Sequence, residues 1–293
     1  MSEVAAPAAP RWTALAALIG GACIIGLAAI LVRLSHAGPA ATGFWRLMFA
    51  LPLLVLMTRR ATGAIGGPPR MALWVGLFFA LDLGFWHYGI RYTSVANATV
   101  LTNLTPVVVT AFAWIFLRQR PRALFLLAVA VAVGGASLMA YAKGGGAVRN
   151  QALGDALSVA TAFWYALYFL SMAEGRKTAG ASQMMLWSGI VGAPLLLAAA
   201  VALGEPLTPT TPSGWAACAG LGLVHVAGQG SIAWAMGRLP TSTASVTVLV
   251  QPVVAAALGW ILFAEAIGPL QGLGAAVTLG GIVLAQWASR ARA

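Results

Sequence analysis

Charged residues are scarce in this sequence. Only 8% of its 293 residues are Asp, Glu, Lys or Arg, whereas a soluble domain carries about 25%. Hydrophobic residues make up 60% of the chain, so too few polar side chains remain to cover a soluble surface. The composition excludes an ordinary soluble domain and predicts an integral membrane protein whose solvent is the lipid bilayer.

Several chemical motifs are also absent. The two lysines, Lys143 and Lys177, do not lie in the Gly-x-x-x-x-Gly-Lys-Ser/Thr loop that cradles phosphates in ATP-driven machines. Neither Gly-x-Ser-x-Gly nor His-Glu-x-x-His occurs, which removes two common hydrolase sites. Cys23 and Cys218 both lie in apolar runs, where cysteine commonly packs as a small hydrophobe, so no disulfide is predicted. The sequence predicts no catalytic residue, no metal site and no cofactor.

Long apolar runs are abundant, and Gly, Pro or Arg interrupts them at intervals. A helix needs roughly 20 residues to cross about 30 Å of hydrocarbon, and ten runs have that length. We predict an all-α polytopic membrane protein with ten transmembrane helices. The predicted spans are Trp12–Leu34, Ala40–Thr58, Met71–Ile90, Asn97–Leu117, Ala123–Tyr141, Ala152–Met172, Ser182–Leu203, Gly214–Met236, Thr243–Ala264 and Leu270–Ala288.

The basic residues lie almost wholly between the spans. Twelve Lys and Arg residues fall on the side that holds both termini and four on the other, while Arg46 falls inside a span. By the positive-inside rule both termini are expected in the cytoplasm, and the protein in the bacterial inner membrane. The net charge of +11 therefore indicates membrane orientation, and no nucleic-acid partner is predicted.

The two halves of the chain repeat. Ala98-Thr99-Val100 and Pro106-Val107-Val108 recur 146 residues later as Ala244-Ser245-Val246 and Pro252-Val253-Val254. Each half has five spans, an odd number, so the second copy must enter the membrane in the opposite direction. We predict an inverted repeat with a first copy over residues 1–143, a linker over 144–151 and a second copy over 152–293.

Three local motifs carry a resemblance to a known family. They are Phe44-Trp45-Arg46 in the second span, Thr93-Ser94-Val95-Ala96 before the fourth, and Phe263-Ala264-Glu265 after the ninth. With the repeated halves, they resemble the drug/metabolite transporter superfamily, and most closely the aromatic amino-acid exporter branch of the EamA-type ten-helix exporters. The resemblance covers essentially the whole chain. It implies export of amino acids, with aromatic and bulky neutral ones favoured, or of related metabolites.

Polar and aromatic side chains deep in the spans are the candidates for solute contact. Polar groups in hydrocarbon are usually kept where they face a bundle interior or a water-filled cavity, and aromatic walls suit apolar or aromatic solutes. Interhelical packing is the alternative for each of them. The candidate substrate-binding residues are His87, Tyr88, Asn103, Trp164, Tyr168, His225, Gln229 and Gln251.

Two opposite charges lie at similar depth in neighbouring spans. Arg46 and Asp82 are each about eight residues from the external end, or roughly 12 Å at 1.5 Å per residue. An unpaired charge at this depth costs at least a few kcal/mol, so we predict that they share an ion pair or a hydrogen-bond network. The pair is expected either to serve the transport cycle or only to hold the two helices together.

Inverted repeats also indicate a mechanism. Two similar halves facing opposite sides can exchange conformations and open a cavity alternately to each side of the membrane. The sequence therefore predicts a secondary or passive transporter with a small-molecule substrate, lipid as its surroundings and an unknown oligomeric state. An intramembrane enzyme and a non-transporting sensor or scaffold remain the alternatives from other classes.

Overall fold

The computed structural model describes residues 11–93, 95–116, 118, 120–142, 150–263 and 266–290. Within these ranges the regular structure consists of α-helices and one π-helical segment, His225–Gln229. The α-helices are α1 Arg11–Ile25, α2 Ala28–Leu34, α3 Pro39–Thr62, α4 Ala72–Tyr92, α5 Val95–Thr102, α6 Thr105–Ile115, α7 Ala123–Ala142, α8 Gln151–Gly175, α9 Ala181–Ala202, α10 Pro212–Val224, α11 Gly230–Met236, α12 Thr241–Thr247, α13 Val250–Phe263 and α14 Pro269–Arg290.

Nine helical stretches in the described part of the chain are long and apolar enough to cross a membrane. They correspond to nine of the ten predicted spans. The remaining one, α4, has 21 residues and so reaches the required length, but it carries buried Asp82 and His87, which make it more polar. The all-α architecture with ten spans in two repeats is confirmed, and its most polar span contains an acidic side chain.

Four spans are interrupted. The first breaks between α1 and α2, the fourth between α5 and α6, the eighth at the π segment and the ninth between α12 and α13. A proline clashes with the carbonyl four residues before it. Pro106 stands four residues after Thr102, the last residue of α5, and Pro252 stands four residues after Val248, the residue that follows the end of α12. The inverted repeat thus places equivalent breaks in the fourth and ninth spans.

Helix contacts repeat between the halves. The fifth and tenth spans, α7 and α14, pack along each other, and so do the second and seventh, α3 and α9. The third span packs on the sixth and seventh, while the eighth packs on the first and second, which is the same arrangement with the halves exchanged. These contacts are those expected of two copies related by a two-fold axis.

Small residues make the closest contacts. A Cβ placed on Gly135 would meet the backbone nitrogen of Thr278 at 2.4 Å, and one placed on Gly281 would meet that of Ala132 at 2.4 Å. Gly135 and Gly281 occupy equivalent positions in the two halves, and close backbone approach is how helices pack tightly in lipid. The domain boundaries remain a prediction, because most of the predicted linker, residues 144–149, lies outside the described residues.

Candidate functional site

A cavity of about 400 Å³ lies between the two halves. All four interrupted spans line it, with Gly26, Asn103, Gln229 and Val248 at or beside the breaks. Interrupted helices free backbone carbonyls and turn side chains at mid-membrane, which is tolerated where the backbone lines a cavity. The breaks and the cavity are therefore parts of one site.

Arg46 and Asp82 both face this cavity. They are 6% and 8% exposed and come from α3 and α4, and the guanidinium carbon of Arg46 lies 5.6 Å from the centre of the Phe79 ring. The two opposite charges are near enough to attract each other. Within the described residues, no hydrogen bond or ion pair of 4.0 Å or less joins the two side chains. The predicted ion pair or shared hydrogen-bond network stays a prediction, and both charged side chains line the cavity.

Two amides face the cavity with a donor that has no partner in the described part of the chain. They are Asn103, at the break between α5 and α6, and Gln251, at the start of α13. Asn103 Nδ2, Gln251 Nε2 and Arg46 Nε are buried atoms for which no hydrogen-bond acceptor is found there. Because a buried donor without an acceptor costs free energy, these atoms favour an oxygen-bearing solute between them.

The π segment positions Gln229. A π-helical turn inserts an extra residue into a helix and is frequently found at functional sites. Gln229 lines the cavity, and its Nε2 donates to the hydroxyl of Tyr168 at 2.7 Å. His225 instead packs its ring against Phe79, with the ring centres 5.2 Å apart. Of the predicted pair His225 and Gln229, the structure brings Gln229 to the cavity wall.

Five candidate residues lie outside the cavity lining. Tyr168 contacts the lining through its hydrogen bond with Gln229, and His225 contacts it through its ring packing on Phe79. Buried His87 lies beside the Trp86 ring at a centre distance of 5.0 Å. The Tyr88 hydroxyl donates to the Glu205 carboxylate.

Trp164, the last of these five, packs among phenylalanines on α4 and α8. Its ring centre lies 6.2 Å from that of Phe78, 6.0 Å from that of Phe85 and 5.5 Å from that of Phe163. The residue lies in the contact between α4 and α8, away from the cavity lining.

Tyr165 and Thr161 line the cavity and were not predicted. They are four residues apart on α8, so they share one helix face. Trp164, one position from Tyr165, lies about 100° around the helix. The sequence does carry a signal for this face, because Tyr165 lies four residues after the polar Thr161. That spacing favours Tyr165 over Trp164 as the aromatic residue at the cavity.

Within the described ranges, no group of three or more His, Cys, Asp or Glu side chains could hold a metal ion. The site is instead a membrane-embedded chamber with two opposite charges, amides and aromatic rings, reached by spans that are broken at mid-membrane. These features define a multi-spanning membrane transporter.

The chain belongs to the EamA-like transporter family, whose model matches residues 12–141 and 152–287. A second family model, Solute carrier family 35, matches residues 86–198. Among curated proteins, an uncharacterized transporter of Archaeoglobus fulgidus is 24% identical over 92% of this chain and 95% of its own length. The pseudopaline exporter CntI of Pseudomonas aeruginosa strain UCBPP-PA14 is 26% identical over 76% of this chain and 77% of its own length.

A solved crystal structure has the same fold. It superposes with a TM-score of 0.79 at 19% identity, covering 96% of this chain and 99% of the other. The family resemblance seen in the sequence is thus confirmed at the level of the EamA-like family, and the chain is a membrane transporter and not an enzyme. The aromatic amino-acid branch is not singled out by these relatives.

Proposed function

We propose that this protein exports amino acids, with aromatic and bulky neutral ones favoured, or closely related metabolites, by alternating access across the bacterial inner membrane. The cavity that contains both Arg46 and Asp82 is the observation that carries this proposal. The two repeats, residues 1–143 and 152–293, would be the moving halves, and both termini would lie in the cytoplasm.

The charges of the cavity complement a zwitterion. A guanidinium binds a carboxylate through two parallel hydrogen bonds, and a carboxylate binds an ammonium group. Arg46 and Asp82 line one chamber without a direct contact, so a solute can lie between them. An α-amino acid carries both complementary charges on one carbon and is neutral overall.

The remaining lining suits a bulky side chain. Phe79, Trp86 and Tyr165 supply aromatic faces, and Val248, Leu249 and Met139 supply apolar ones. Small-molecule sites commonly measure 300 to 1,000 Å³ with apolar walls and a few placed polar groups, and this cavity lies within that range. One relative is a pseudopaline exporter, and this similarity supports the export of a metabolite.

Transport by purified protein in proteoliposomes tests the proposal. Vesicles loaded with an unlabelled amino acid should take up the same labelled amino acid by exchange, and phenylalanine, leucine and tryptophan should exceed glycine and aspartate. Arg46→Lys keeps the charge but loses the planar fork, so its KM should rise about tenfold with protein yield unchanged. Arg59→Lys, at the cytoplasmic end of α3, is the matched control and should transport as the natural protein does.

If vesicles that contain correctly inserted protein exchange none of the amino acids, the proposal of an amino-acid substrate is rejected. An equal loss in Arg46→Lys and Arg59→Lys would show that the effect of the former does not come from the cavity.

A further inference from the structure

Asp82 differs from the other acidic residues that the structure describes. Asp155 accepts a hydrogen bond from Thr93, Glu205 accepts backbone hydrogen bonds at the start of α3, and Glu174 pairs with Lys177. Asp82 alone among them lines the cavity, and its carboxylate has no hydrogen bond to another described residue. An acidic side chain inside a membrane span is costly and generally marks a path for ions, protons or substrate.

Few ionisable groups surround this carboxyl. The helices packed on α4 present Arg46 from α3 and the phenols Tyr165 and Tyr168 from α8, while α5 and α9 offer no ionisable side chain. On α4 itself, His87 and Tyr88 follow five and six residues later, about one and a half turns along the helix, and His225 stands behind Phe79. The ionisable residues that line the cavity in the described part of the chain are Arg46, Asp82 and Tyr165.

A charge balance follows from this arrangement. Arg46 remains a cation at any physiological pH, and ionised Asp82 makes the pair neutral. A bound zwitterion leaves the chamber neutral, whereas a proton on Asp82 leaves it with one positive charge. The carboxylate cannot hold a proton and an ammonium group on the same oxygen atoms at once.

We propose that Asp82 couples substrate export to proton entry, by binding either the ammonium group of the substrate or a proton; the inference rests on the proposed function. With the cavity open to the outside, the substrate leaves and a proton from water forms an O–H bond with the carboxylate. With the cavity open to the cytoplasm, that proton passes to water and the next ammonium group takes its place. One proton enters for each zwitterion exported, so one positive charge moves inward in each cycle.

Both the pH gradient and the membrane potential should therefore drive export. A positive charge that crosses the membrane gains free energy from the membrane potential, and an inside-negative potential favours its entry. The two histidines near the cavity, His87 and His225, are buried and do not line it, so Asp82 is the group that meets both the substrate and the water of the cavity.

Proton release on substrate binding tests the inference directly. Purified protein in weakly buffered detergent solution, mixed with phenylalanine in the presence of a pH-indicator dye, should release about one proton per bound substrate. Asp82→Asn should bind phenylalanine about tenfold more weakly, release no proton and bind with the same affinity across the neutral pH range. Asp82→Glu keeps the acid and should keep the release.

Glu174→Gln is the matched control, because it removes an exposed acid at the cytoplasmic end of α8, and its proton release should equal that of the natural protein. Transport in vesicles supplies the second readout. Export of phenylalanine should accelerate when the external side is acidic and again when the interior is made negative with valinomycin and potassium, and Asp82→Asn should respond to neither.

The failures are distinguishable. If the natural protein exchanges phenylalanine without releasing protons, the coupling is wrong and the proposed function stands. If Asp82→Asn binds phenylalanine and still releases a proton, another group carries it and the assignment to Asp82 is wrong. If no amino acid binds at all, the proposed function itself fails. If Asp82→Asn does not fold, Asp82→Glu carries the test. A folded Asp82→Glu that binds phenylalanine without releasing a proton would overturn the assignment.

Discussion

The aromatic ring of Tyr165 occupies a position that favours direct contact with solute. It lines the cavity from α8, and its ring lies parallel to that of Tyr168 at a centre distance of 5.8 Å. Tyr168 is fixed in turn by the hydrogen bond from Gln229. One face of the ring is therefore held by the protein, and a side chain in the cavity can pack on the rest of it. A ring held in this way loses little conformational entropy on binding a substrate.

Replacing Tyr165 should change the preference for aromatic substrates. An aromatic pair contributes about 0.5 to 1.5 kcal/mol beyond area burial, so Tyr165→Leu should raise the KM for phenylalanine roughly two- to twelvefold. The KM for alanine should change less than twofold. Exchange kinetics in proteoliposomes measure both values.

Trp164→Leu is the control for this substitution, because Trp164 packs among phenylalanines and does not line the cavity. It should destabilise the protein without altering the ratio of the two KM values. A selective loss of phenylalanine transport in Trp164→Leu, with none in Tyr165→Leu, would contradict this prediction. It would show that the face of α8 with Trp164, and not the face with Tyr165, contacts the substrate.

At the scale of elements, the loop after α9 contacts the start of α3 and the C-terminal part of α4, the two helices that carry Arg46 and Asp82. The Glu205 carboxylate accepts from the backbone nitrogens of Ala40 and Ala41, at 3.1 and 3.0 Å, and from the Tyr88 hydroxyl. α3 has no cap from its own side chains, since its first flanking residue is Gly38, so the second half of the chain supplies the cap. Tyr88, predicted as a substrate contact, instead joins α4 to this loop.

Glu205→Gln should lower stability by about 1 to 2 kcal/mol. The substitution removes the charge that favours a helix N-terminus and one of the two oxygen acceptors. Thermal unfolding in detergent, followed by circular dichroism or by the accessibility of buried cysteine, measures the change. Tyr88→Phe should lose less, because only one of the three hydrogen bonds to the carboxylate disappears.

The control is Glu174→Gln, whose acid pairs with Lys177 on the surface and should contribute less than about 1 kcal/mol. Equal thermal shifts in Glu205→Gln and Glu174→Gln would mean that the cap does not hold α3 in place.

Helix interruptions show how far the sequence predicts the elements. Pro106 and Pro252 mark breaks in equivalent spans, because proline ends a helix by a local clash that the sequence displays. The π segment has no such marker, since His225–Gln229 contains no proline, and its bulge depends on how α10, α11 and α1 pack. This is why His225 and Gln229, which are four residues apart, point to different surroundings.

The cavity was predictable in part for a related reason. Depth in the span identified Arg46, Asp82, Asn103, Gln229 and Gln251, all of which line it. Depth does not determine the direction in which a side chain points. The other five candidates are equally deep or aromatic, and helix rotation directs them to packing contacts. Rotation is set by tertiary contacts such as the close approach of Gly21 to the Gly228 carbonyl, where a Cβ would lie at 2.6 Å.

At the scale of the whole molecule, the two halves are equivalent in their helices and different in their charges. Arg46 corresponds to Ser188 and Asp82 to the segment around Gly228, so among the described residues the charged side chains that line the cavity come from the first half. Ser188 is buried and donates to its own helix at the Met185 carbonyl. An inverted repeat can exchange its conformations while one half holds the substrate charges.

The two ends of the molecule also differ, which bears on its orientation. At one end Arg176 donates to the Ala233 carbonyl at 3.0 Å, and burial, followed by the charge of neighbouring Arg238, lowers its pKa while leaving it a cation. At the same end Gln183 donates to the Gly67 carbonyl in the loop after α3. The Glu205 loop lies at the opposite end, where α3 begins. The positive-inside rule places the end with the arginines in the cytoplasm.

Reporter fusions test this orientation. Fusions after Arg59, Arg118 and Arg290 should be active only with a cytoplasmic reporter, and fusions after Lys143 and Glu205 only with a periplasmic one, because basic loops stay on the cytoplasmic side. The five sites follow the second, fourth, fifth, seventh and tenth spans, so each fusion checks whether the number of spans before it is even or odd. Reversed signals after Arg118 and at every later site would remove one span from the first half and make the repeats parallel. Reversal at all five sites would keep the inverted repeat and invert the whole protein, and the direction of proton-coupled export would then have to be reassigned.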